Sequence, residues 1–171
     1  RLSETNITTE RIKNETMIST QLWIYIMCPV YSFFVNVFYW IFNFGDLAEA
    51  KKRKEEFKAL ELEKLISRFK WINDDPVDWY PWIITIINKD LEDDCDGAAI
   101  LAKWWYKEHN IDSKLVFIYS DDGELGHAIC VKNDNSQFVS NKEVINLVTS
   151  NWRQEIFDKF DNKYSVMIEK K

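Results

Sequence analysis

The chain has 171 residues, with 22 Lys and Arg against 28 Asp and Glu for a formal net charge of −6. That length supports one globular core with an accessory region, and the acidic balance argues against nucleic acid as a partner. Four glycines leave no phosphate-cradling loop, and three cysteines without a CxxC pair or zinc spacing imply no disulfide framework, cofactor or metal centre.

Residues 1–15 are polar and mixed in charge, and read as an N-terminal arm. Residues 16–45 carry no formal charge, and within them 22–44 run LWIYIMCPVYSFFVNVFYWIFNF. Spanning a bilayer takes roughly 20 predominantly apolar residues, so the stretch is long enough for an anchor helix despite Pro29 and Asn36. Trp23, Tyr25, Tyr31, Tyr39 and Trp40 suit two interfacial belts. The same surface also suits burial in the hydrophobic face of a large protein assembly, so membrane and assembly both stand as expected partners of 16–45.

Residues 46–72 change character. Leu47, Ala50, Phe57, Leu60, Leu65, Phe69 and Ile72 recur near helical spacing amid Lys and Glu, which predicts one amphipathic helix. The basic run Lys51, Lys52, Arg53, Lys54 follows the apolar segment directly. With a membrane span before it, the run places the rest of the chain on the cytoplasmic side; without one it is a solvated helix face. Asp74, Asp75, Pro76 and Pro81 then mark a turn and a domain boundary, setting off 73–171 as the chemical domain. Trp79, Tyr80 and Trp82 next to it serve packing or ligand stacking.

Asp94 or Asp96 caps a predicted helix that runs to about His109. Strands are expected over 115–119, from Gly126 or His127 to Val131, and over 137–140, with turns at Asp121-Asp122-Gly123 and 133–136. Residues 142–160 read as a helix, whole or broken near Ser150 and Asn151, and 164–168 as a last strand. Helices followed by an antiparallel sheet make the fold class α+β.

The chemistry gathers between Asp93 and Asn141. Cys95 falls at a helix start, where aligned backbone dipoles favour a thiolate, and a neighbouring imidazolium would favour it further. Asp93, Asp94 and Asp96 oppose ionisation if their charges are close, and their acidity suggests basic or amine-bearing ligands. A calcium loop lacks the required spacing. His127 is the base candidate because His109 lies near the far end of the same helix. Cys130 reads as a buried apolar thiol. Asn141 is the first choice to orient the imidazole, with Ser140 as the alternative. The backbone N–H of Cys95 supplies one oxyanion donor, and Asn88 stands as a substitute for a second.

Asp-Cys-Asp-Gly-Ala-Ala, then Gly-His-Ala-Ile-Cys-Val, then Phe-Val-Ser-Asn, resembles the core of transglutaminase-like cysteine peptidases, small bacterial or phage versions of a papain-like superfamily. The resemblance covers about Trp79 to Asn141. It implies a papain/transglutaminase-like core with the catalytic helix packed on a small antiparallel sheet, preceded here by a long hydrophobic helix and an amphipathic helix. It assigns the nucleophile to Cys95, the base to His127 and the orienter to Asn141. Many relatives carry Asp at the third position, so Asn141 is the more papain-like choice. The expected activity is thiol-dependent hydrolysis of peptide or other amide bonds through an acyl-enzyme. The alternative is a non-catalytic structural or interaction protein that keeps the fold. Expected locations are a membrane, with a cytoplasmic C-terminal domain, or a phage virion.

Overall fold

The computed structural model describes residues 28–42, 47–72, 81–123 and 125–170. The element order is α1 (Cys28–Phe42), α2 (Leu47–Lys58), α3 (Leu62–Ile66), β1 (Lys70–Trp71), α4 (Ile83–Asn88), β2 (Glu92–Asp93) and α5 (Cys95–Glu108). There follow β3 (Ser113–Tyr119), β4 (Gly126–Lys132), β5 (Gln137–Ser140), β6 (Glu143–Asn146), α6 (Trp152–Lys159) and β7 (Val166–Lys170).

Five strands form an antiparallel sheet in the order β6-β5-β4-β3-β7, and β1 pairs with β2 in a separate parallel pair. The long β3 and β4 pair in register from Ser113↔Lys132 to Tyr119↔Gly126. Alternation along them buries both faces. Phe117, Ala128, Cys130 and Val139 point to a layer built by α2 to α5, while Val116, Ile118, Ile129, Val131 and Phe138 point to α6 through Trp152 and Ile156. Strands covered on both sides read as continuous apolar runs, as VFI and AICV do here. The fold is α+β.

The helical layer corrects several expectations. The amphipathic helix predicted over 46–72 is broken after Lys58, and Glu61 adopts extended backbone (φ −63°, ψ 147°) before α3 begins. The break turns Leu62, Leu65 and Ile66 into the core, and the Leu60 carbonyl accepts the Trp105 indole N–H at 2.8 Å. A straight helix keeps one apolar stripe and could not bury Ala50, Phe57, Leu62, Leu65, Ile66 and Phe69 together. These residues share one cluster with Ile86, Ala98 and Leu101, so the core crosses the boundary expected at residue 73. Each fully buried Leu, Ile or Phe adds roughly 1.5–3 kcal/mol.

The long hydrophobic helix is also corrected. Among the described residues no helix is long and apolar enough to cross a membrane. α1 has 15 residues, about 22 Å at 1.5 Å per residue, against a hydrocarbon core of about 30 Å. Residues 16–27 and 43–45 of the expected anchor, Trp23 and Tyr25 included, lie outside the described residues. One side of α1 is held to the body. Asn36, 0 % exposed, accepts from Trp82 N at 2.7 Å and Thr85 Oγ1 at 2.9 Å, and donates to the Ser32 carbonyl at 2.7 Å. The membrane location therefore loses its support, and with it the positive-inside assignment. Two members of the basic run bind the body instead: Arg53 pairs with Asp90, and Lys54 lies 3.6 Å from Glu108 and 5.6 Å from the Trp104 ring centre.

Residues 142–160, expected to be helical, open with strand β6. Val144 and Ile145 pack on opposite faces of the sheet, so a period of two wins over a helical one there. Trp79 and Tyr80 lie outside the described residues, while Trp82 is exposed and packs edge-on to Phe33.

Candidate active site

α4 ends in a tight turn that aims the next segment. Leu91 N donates to the Ile86 carbonyl and Asp90 N to the Ile87 carbonyl, with Asp90 (φ 59°) and Leu91 (φ 62°) both left-handed. Side chains rarely adopt that conformation, and the surroundings hold it. Leu91 is buried, and Asp90 is gripped by Lys70 at 2.8 Å and by Arg53, of which Lys70 does most to lower its carboxyl pKa. β2 then pairs with β1, and the chain turns into α5.

Asp93 is 1 % exposed, its Oδ1 accepts from Asp94 N at 3.0 Å, and Lys89 Nζ lies 3.7 Å from its Oδ2. Gly97 rests on it: a Cβ there would stand 2.4 Å from Asp93 Cβ. Asp94 is the N-cap, its Oδ1 accepting from Asp96 N at 3.1 Å. Cys95 is thereby the first helical residue, at the positive end of the helix dipole.

The acidic residues are not a surface for basic ligands. Asp93, Asp94 and Asp96 are 1 %, 9 % and 3 % exposed, and the first two are spent on the turn and the cap. Their ligand oxygens lie within 4.8 Å of one another, a spacing that a cation would accept.

Cys95 Sγ accepts a hydrogen bond from Ala128 N at 3.4 Å, which brings the thiol to β4 beside His127. His127 sits where β4 emerges from the sheet. Its Nε2 lies 2.8 Å from Ser140 Oγ at the end of β5. Phe160 meets the imidazole edge-to-face at 5.3 Å and Tyr164 lies nearly parallel to it at 6.2 Å between ring centres. Burial among these groups lowers the His127 pKa from 6.5 to about 4, against the opposing pull of the Asp94 charge. The imidazole therefore favours its neutral form at pH 7. Tyr164 is raised by its own burial first and by Cys95 second, which ties the tyrosine, the thiol and the imidazole to one end of the sheet.

Of the two candidates for orienter, Ser140 makes the bond. Phe138 and Ser140 share a strand face, the one that carries Ile129 and His127, so strand alternation delivers Ser140 to the ring. Asn141 follows in the two-residue loop of the β5–β6 hairpin with φ 49°, a conformation that Asn tolerates better than most residues. Its Oδ1 is enclosed and meets no hydrogen-bond donor among the described residues. Asn88 is the last residue of α4, half-buried, and makes no side-chain hydrogen bond among the described residues. His109 caps the far end of α5, stacked on Trp105 at 3.8 Å. Cys130 is fully buried and its thiol is pushed up to about 12 by burial.

Phe160 and Tyr164 were not identifiable as site residues from the sequence. They follow α6 in a polar turn, and only the return of β7 onto β3 brings them to His127.

No family model matches the chain, and no curated protein matches it.

Proposed function

We propose that the chain hydrolyses peptide or other amide bonds with Cys95 as nucleophile, His127 as general base and acid, and Ser140 as the group that orients the imidazole. The observation that carries this reading is the thiol of a helix-start cysteine lying 3.4 Å from Ala128 N, next to an imidazole whose Nε2 is tied to Ser140 Oγ. The tautomer with Nε2–H donating to Ser140 leaves Nδ1 bare to take a proton. Resemblance of the three motifs to transglutaminase-like cysteine peptidases points the same way.

In the first half-reaction Sγ attacks the amide carbonyl, the S–H proton passes to His127, and an S–C bond forms. The C–N bond then breaks as His127 returns that proton to the leaving amine. The Cys95 backbone N–H, at the helix start, donates to the oxyanion. In the second half-reaction His127 takes a proton from water as the water oxygen bonds to the acyl carbon. The S–C bond breaks, and that proton restores the thiol. With a neutral imidazole, proton removal accompanies attack rather than preceding it.

Intact-mass labelling with a cysteine-directed acylating probe tests the reading. Fast acylation of Cys95, slowed at least about 100-fold in His127→Ala, and slow regeneration of free enzyme support it. Labelling indifferent to His127 removal refutes it.

A second reading, a non-catalytic interaction module of a phage particle or other large assembly, draws on a different observation. Phe33, Phe34, Phe38, Trp40, Ile41 and Phe42 of α1 are exposed, more apolar surface than a lone soluble helix carries. Under that reading Cys95→Ser with His127→Ala leaves assembly intact, whereas charged substitutions along α1 abolish it.

A further inference from the structure

Beside the imidazole's Ser140 side lies an open cleft of about 390 Å³, walled by Ser140 and Phe160 together with Trp71, Lys142, Glu143 and Lys159. Two of these residues belong to the site already described: Ser140 binds His127, and Phe160 packs on the imidazole. The volume falls in the range of small-ligand clefts. Trp71 is 51 % exposed and offers a flat apolar wall.

The charge of the cleft is unlike that of the chain. Lys142 and Lys159 both line it, and among the described residues neither has an acid within ion-pair distance. Glu155, the acid on which the Lys159 charge acts, is already occupied by Val148 N, Thr149 N and Thr149 Oγ1. Glu143 is the single acid on the wall, so the lining carries two positive charges against one negative on a chain of net −6. Two unpaired ammonium groups beside an indole favour a ligand with a short apolar stem and a carboxylate.

Resting on the hydrolase reading, we infer that this cleft receives a part of the substrate remote from the scissile bond and selects one that bears a carboxylate. The cleft shares Ser140 and Phe160 with the imidazole's surroundings, on the Nε2 side of the ring, so what it holds lies beyond His127 from the reacting thiol. This reverses the preference for basic ligands suggested by the acidic residues around Cys95, which are buried.

The test separates binding from turnover. Full-chain Cys95→Ala is titrated with two short C-terminally amidated peptides differing only in Glu against Gln, and with the Gln peptide as free acid. Binding is read from the Trp71 indole N–H resonance, assigned through Trp71→Phe. The Glu peptide is expected to bind at least about tenfold tighter than its Gln partner. The double variant Lys142→Gln/Lys159→Gln removes that margin, and Lys142→Glu/Lys159→Glu turns it toward a Lys peptide. Tight binding of the free-acid Gln peptide alone supports the same carboxylate chemistry with a main-chain terminus as its source. Equal binding of all three peptides, or a margin that survives both double variants, overturns the inference. Wild-type hydrolysis of amides ending in the same groups then distinguishes the two ideas. Turnover without preference sinks the cleft assignment alone, and carboxylate-selective binding without turnover sinks the hydrolase reading alone.

Discussion

His127 Nε2 lies 2.8 Å from Ser140 Oγ, and this bond joins two strand ends that the chain separates by 13 residues. It holds the ring plane, so its removal is expected to act on the orientation of the imidazole rather than on the fold.

Ser140→Ala is accordingly expected to slow Cys95 acylation by about tenfold, with a folded far-UV spectrum. Asn141→Gly, which keeps a left-handed turn residue, is expected to cost less than Ser140→Ala. Parallel labelling rates decide this, and a larger loss in Asn141→Gly would return the orienting role to Asn141.

The pH dependence follows from the burial of His127. Its folded pKa of about 4 lies below the ordinary 6.5, so between those values the unfolded chain binds more protons than the folded one. Stability contributed by the neutral ring is fully present above about pH 6.5 and is lost as the pH falls toward 4, by an amount on the order of 3 kcal/mol. Urea denaturation at stepped pH measures it, and His127→Gln should flatten that part of the slope. The acid limb of the acylation rate should fall near pH 4 rather than 6.5.

Thiol selectivity is a third check. In a Cys28→Ser background, a small alkylating reagent at pH 7.5 should modify Cys95 and spare Cys130, which is fully buried and raised to about 12. Peptide mapping after digestion reads the ratio. Modification of Cys130 in the native state would mean that the sheet opens far more often than its packing implies.

Gly97→Ala is expected to destabilise by about 2–4 kcal/mol, because the new methyl would press on the Asp93 stem, which has no room to yield. Gly126→Ala meets the edge of the Tyr119 ring at 3.0 Å and should cost under about 1 kcal/mol, since the ring can shift. Chemical denaturation of the two variants side by side gives the comparison.

Asn36→Ala should cost about 1–2 kcal/mol by leaving Trp82 N and Thr85 Oγ1 without their acceptor. Hydrogen exchange should then show α1 opening earlier while Cys95 acylation is unchanged.

The sheet and the helix of Cys95 were readable because their signals are local: an Asp before small residues, alternating apolar runs and Asp-rich turns. Ser140 was readable as an alternative only, since choosing between it and Asn141 requires knowing where β5 ends and its hairpin loop begins. The broken helix at Glu61 has neither Pro nor Gly to mark it, and its cause is the shape of the core it fills. Asn36 misled most. In a 15-residue apolar helix a lone amide looks like a tolerated flaw in a span, yet it is the attachment point to α4. The acids flanking Cys95 read both as a helix cap and as a charged patch, because sequence alone does not show which of them are enclosed.

β7 lies at the sheet edge against β3, and the turn just before it carries the rings that dry His127. A chain emerging from the ribosome therefore presents Cys95 and His127 long before Tyr164 exists. Until that tyrosine arrives the imidazole stays hydrated, with its ordinary affinity for protons. The dry surroundings of His127 are thus completed last, when the end of α6 and the turn before β7 bring Phe160 and Tyr164 to the ring.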